Sequence, residues 1–107
     1  LSEDASTVVV LSGNIDVRSI HISFQKLENA FAAALGTGLS LAIDLSQVAD
    51  ADVTLVQLME SARHTAAQSG VAIRLCAPAR DAVLQTLERG GFLSHPPDER
   101  TLFWRAE

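Results

Sequence analysis

Two hydrophobic periods alternate along this chain, and that alternation limits what it can fold into. Short β-branched runs of strand length take turns with longer stretches whose apolar residues recur every three or four positions. The run TVVVLS, residues 7–12, reads as a buried strand stopped by Gly13, and GNID, residues 13–16, has turn chemistry. From Val17 to Leu35, Ile20, Phe24, Leu27, Ala30, Phe31 and Ala34 draw one helical face, with Gly36 and Gly38 as its stop. LSLAID, residues 39–44, predicts a second strand. After a loop, a helix is expected from about Val53 to Ser69, striped by Leu55, Leu58, Met59, Ala62 and Ala66 and ended by Gly70. VAIRLC, residues 71–76, predicts a third strand that Pro78 breaks. A third helix follows with Val83, Leu84 and Leu87 inward, ending at Gly90 and Gly91, after which Phe92 and Leu93 tuck back. SHPPDER, residues 94–100, reads as loop, and TLFWR, residues 101–105, as a last short strand.

This order predicts an α/β fold in a single domain, 1–107. Its small mixed or parallel sheet of about four to five strands packs against about three to four helices. Crossovers are expected to be right-handed. Sites in such sheets gather beyond the carboxyl ends of the strands, and the stretch DLSQVADADVTL, residues 44–55, lies there.

Composition narrows the function classes. The 107 residues carry a formal net charge of −5, and the basic residues are scattered, with Lys26 the only lysine. Binding a polyanion needs clustered basic residues, so no nucleic acid is expected, nor direct binding to an anionic membrane. Nothing in the sequence resembles a membrane span or a signal peptide. Cys76 is the only cysteine, which excludes an internal disulfide and suits a reducing, cytoplasmic setting.

The chemical motifs mostly fail on spacing. Gly36 and Gly38 make a G-x-G, but Leu41 stands where a dinucleotide fingerprint needs its third glycine, and the pair follows a helix. Cys76 ends a strand, yet Ala77-Pro78-Ala79-Arg80 is too short and too poor in amides to cradle phosphate, so it reads as a small buried residue. His21, His64 and His95 lack partners at ligand spacing, and Glu60 with His64 reads as a solvent-side helical pair. Asp44, Asp50 and Asp52 are the remaining cluster. One reading is a magnesium-dependent phosphoacceptor or small enzyme; this wants a nearby lysine, and Lys26 lies in the first helix. The other reading is local: Asp52 caps the helix that follows, while Asp44 and Ser46 order the preceding loop. The local reading is preferred. No catalytic residue, metal site or cofactor is expected, and the chain is read as not an enzyme.

One pattern is more specific. Gly13-Asn14-Ile15-Asp16 closes a strand before a long helix. Asp44-Leu45-Ser46-x-Val48 leads to Asp52 and a helix ending Ala66-Ala67-x-x-Gly70. A further strand, Pro78, a helix and Leu87-Glu88-Arg89-Gly90-Gly91-Phe92 complete it. From Thr7 to Phe92 this resembles the STAS domain of bacterial anti-sigma-factor antagonists. The resemblance implies a cytoplasmic protein-binding module that takes part in partner switching and transcription regulation. The implied partner is an anti-sigma factor or serine-kinase-like protein, which phosphorylates a hydroxyl directly after the helix-heading Asp. Here Asp52 matches that Asp and Val53 occupies the hydroxyl position. A phosphate would bring about −1.5 to −2 charge beside Asp50 and Asp52; Val53 cannot carry one. Thr54 is the remaining candidate for phosphorylation, but one residue along a helix turns the side chain by about 100°.

Val53 has two readings, as part of an exposed docking patch with Val56 or as a residue folded into the core; on the first, the chain is expected to dock through Asp50, Asp52, Val53, Thr54, Val56 and Gln57, without a switch at position 53. A second reading keeps the fold but makes the domain an unswitched subunit of a chemotaxis-linked or lipid-transport ATPase assembly.

Overall fold

The structure, a computed structural model, describes residues 6–36 and 40–107. The helix stop expected at Gly38 and the strand start at Leu39 lie outside them. Among the described residues three strands and four helices follow in the order β1 (Thr7–Ile15), α1 (Ile20–Gly36), β2 (Ser40–Ala51), α2 (Val53–Ser69), β3 (Ala72–Leu75), α3 (Asp81–Gly90) and α4 (Glu99–Trp104).

The sheet is parallel throughout, ordered β1-β2-β3. With right-handed crossovers this order puts α1 and α2 on the same side of the sheet, and burial along β1 agrees. Val9 and Leu11 are buried, while their neighbours Val8 and Val10 are exposed. Beneath the helices, Val9, Leu11, Leu41, Ile43 and Leu75 meet Leu27, Ala34, Leu55, Met59 and Leu87 in one core.

Sequence-local signals set the helix ends. Asp16 Oδ1 accepts from Arg18 N at 2.9 Å and Ser19 N at 3.2 Å, and Ser19 Oγ accepts in return from Asp16 N at 3.1 Å. This reciprocal turn uses residues 16–19, so α1 starts at Ile20 and not at Val17. Helix α2 matches its expected bounds. Asp52 Oδ1 accepts from Thr54 N at 2.8 Å at one end, and Gly70 takes a left-handed φ of 72° at the other.

The sheet departs from expectation in two places. It has three strands, not four to five, because TLFWR is not a strand: its first four residues lie in α4. Asp98 Oδ1 accepts from Thr101 N at 2.8 Å, a cap that starts the helix at Glu99, two residues before the expected strand. Hydrogen bonds from Thr101 hold the Asp98 carboxyl down at about 2. Phe103 and Trp104 are consecutive and both buried. A half-buried strand would send them to opposite faces, whereas a helix turns them only about 100° apart. The second departure is the loop expected after Asp44, which is strand: β2 runs for 12 residues, through Ala51. It pairs with Ser12–Ile15 of β1 and absorbs one extra residue between Asp44 and Gln47 and another between Val48 and Asp50. Gly13, opposite Val48, takes a φ of 78°, a conformation that a side chain disfavours.

Candidate docking surface

The carboxyl ends of β1 and β2 meet beside the start of α2. Ile15 pairs with Ala51, and Asp52 N donates to Ile15 O at 3.3 Å. This bond turns the chain out of the sheet and into the helix. Asp50, opposite Asn14, accepts from Ala51 N at 2.9 Å. The candidate residues Asp50, Asp52, Val53 and Gln57 are exposed, and Thr54 is half-buried. Val53 is 45% exposed, so the residue in the hydroxyl position is displayed and not folded into the core. Val56 is only 1% exposed; it belongs to the buried stripe of α2 with Leu55 and Met59, and the surface is drawn without it.

The three aspartates do not assemble into a cation site. Asp44 pairs with Val10 and Asp50 with Asn14. Four residues of β1 therefore separate them, about 13 Å at a strand rise of about 3.3 Å per residue. Magnesium needs its oxygens at about 2 Å. Among the described residues no group of three or more His, Cys, Asp or Glu side chains could hold a metal ion. Each carboxylate serves backbone close to it: Asp44 accepts from Ser46 N at 2.8 Å, Asp50 from Ala51 and Asp52 from Thr54. Hydrogen bonds from Ser46, first its hydroxyl and then its backbone N–H, hold the Asp44 carboxyl below its ordinary value. Lys26 Nζ donates to Val10 O at 3.3 Å, on the strand beside Asp44, so its contact is with backbone and not with a carboxylate. Glu60 pairs with Arg63 at 3.0 Å, and Arg63 also lies over the Phe103 ring. Cys76 is exposed, not buried as expected.

Two surface depressions meet at Asp52. One, about 140 Å³, is lined by Asn14, Asp16, Asp50 and Asp52. The other, about 340 Å³, lies between the tip of α2 and the end of α3 and is lined by Asp52, Val53, Thr86, Arg89 and Phe92. Sequence reading did not include Thr86, Arg89 or Phe92 in the surface. The signal was present in LERGGF and in the helical spacing of Thr86 and Arg89, three residues apart. Thr86 Oγ1 lies 3.0 Å from Ala51 O and 2.9 Å from Ala82 O, which ties α3 to the end of β2. A Cβ at Gly90 would collide with the Phe92 ring, and Gly91 has a φ of 70°, so this pair of glycines lets Phe92 fold back against the helix end.

A capped helix rises from the end of the central strand of a parallel sheet, and the end of α3 lies beside that cap. The family model described as "Mlab, STAS domain" matches residues 2–93, and the chain belongs to the STAS family. STAS domains generally mediate protein–protein interactions, which makes this chain a regulatory protein-binding module at the level of its family. A search of curated proteins returned no match to the sequence. No helix among the described residues is long and apolar enough to cross a membrane.

Proposed function

We propose that the chain is a non-enzymatic, cytoplasmic docking module akin to the anti-sigma-factor antagonists. In this reading it binds a kinase-like or other signalling protein through Asp50, Asp52, Val53, Thr54 and Gln57, and it stays in the binding-competent state. The observation that carries the reading is Val53: it is exposed at the head of α2, directly after the capping Asp52, and has no oxygen to accept a phosphoryl group. Thr54 is half-buried, and its backbone N–H is held by Asp52.

The test is to capture the partner on the tagged chain, add ATP and magnesium, and follow intact mass. The expected result is a stable complex and an unchanged mass. A phosphate mapped to Thr54, with release of the partner, would overturn the unswitched reading. The same exposed valine also suits a constitutive subunit of a chemotaxis-linked or lipid-transport ATPase assembly. The identity of the captured protein separates the two: a kinase-like anti-sigma factor supports the antagonist reading, an ATPase the assembly.

A further inference from the structure

The depression between α2 and α3 has a mainly apolar lining that also includes the charged side chains of Asp52 and Arg89, and these specify what fits it. Exposed Val53 and half-buried Phe92 both line it. The Thr86 hydroxyl is engaged by the carbonyls of Ala51 and Ala82, so it does not call for a polar ligand. Such a hollow is filled best by an apolar side chain.

Charge decides what stands beside that side chain. Asp52, which lines the hollow, and Asp50, which lines the neighbouring depression, are exposed, and among the described residues neither carries an ion pair. Asp16 lies behind them, loosely paired with Arg18 at 3.8 Å. The positive end of α2 amounts to about half a charge, and the Asp52 carboxylate at the cap already offsets it. Arg89 is exposed and also lines the hollow. We propose that the Val53–Phe92 hollow takes an apolar anchor side chain from a partner protein, with a lysine or arginine of that partner lying over Asp50 and Asp52. This rests on the docking reading above and adds the chemistry of the partner. An acidic partner segment would meet Asp50 and Asp52 as like charge, and such juxtapositions select against wrong partners.

The test uses a displayed library of random 12-residue peptides panned on the folded chain, followed by synthesis of the selected peptides and amide NMR footprinting. The expected consensus is a large apolar residue with a lysine or arginine within a few positions, and a footprint on Val53, Arg89 and Phe92. Binding should weaken as salt rises. Val53→Ser should weaken it about tenfold or more. Asp50→Lys, at an exposed position, should move the consensus toward acidic residues while leaving the dispersed spectrum of the folded chain. A footprint at the hollow with no basic preference, or a preference that Asp50→Lys does not move, overturns this inference and leaves the docking reading intact. Phe24, Phe31 and Leu58 line a separate apolar groove between α1 and α2; a footprint there, or no consensus at all, counts against both.

Discussion

The two halves of β2 contrast sharply. From Leu41 to Ile43 the strand pairs in unbroken register with both neighbours, and Leu41, Ala42 and Ile43 are fully buried. From Asp44 to Ala51 it pairs with β1 alone, takes in two extra residues, and exposes Ser46, Gln47, Ala49 and Asp50. Cys76 N donating to Ile43 O at 2.9 Å is the last backbone link from the β3 side. Beyond it, Thr86 of α3 reaches Ala51. A strand fixed on both edges makes scaffold. Where one edge is released, bulges can re-aim side chains, and this is where the candidate surface lies.

The contrast can be broken most forcefully in the first half. Ile43→Ala removes a side chain that is 0% exposed and should cost about 2–5 kcal/mol in urea unfolding. A loss below about 1 kcal/mol would mean that this half is not the rigid part. Thr86→Val deletes the hydroxyl that ties α3 to the end of β2 and should cost about 1–2 kcal/mol. It should also loosen the hollow at Val53, seen as amide shift changes at Arg89 and Phe92. Asp52→Ala removes the α2 cap and should cost about 1 kcal/mol, with faster hydrogen exchange confined to the first turn of α2. Unchanged stability would leave Asp52 as a docking residue alone.

The smallest effect sits at Asp44, where the two halves join. Ser46 holds its folded pKa below the ordinary 3.8. A depressed carboxyl contributes stability that is present above its unfolded pKa and lost as pH falls through its folded pKa. Stability should therefore decline below about pH 4, and Asp44→Asn should make that decline shallower. An acid limb with the same slope in the variant would show that the Asp44–Ser46 turn does not sharpen the boundary between the halves.

Much of this was legible in the sequence, and for local reasons. Asp52, the stripe from Leu55 to Ala66, and Gly70 fix α2 through interactions within a few residues of each other. The Asp44–Ser46 turn and the role of Asp52 as cap are equally local. The exposed valine at position 53 could be named without coordinates, although its exposure could not. Val56 shows the limit of reading by proximity: it lies three residues from Val53 and only about 60° round the helix, yet it is buried while Val53, the first residue of α2, is exposed.

What the chain determined alone is therefore the set of elements whose cause lies in neighbouring residues: the alternation of strand and helix, the caps, and the absence of a hydroxyl at position 53. Tertiary structure decided three things. The polar stretch 45–51 is strand because Ser12–Ile15 of β1 offers it backbone partners, which no local pattern records. Residues 101–104 are helical because the Asp98 cap and the burial of both Phe103 and Trp104 override their β propensity. Thr86, Arg89 and Phe92 stand beside Val53 because α3 closes on the end of β2. In the first and third cases the deciding contact joins groups too far apart for the local pattern to show it; in the second the Asp98 cap is local, and it is the burial of Phe103 and Trp104 that the local pattern does not show.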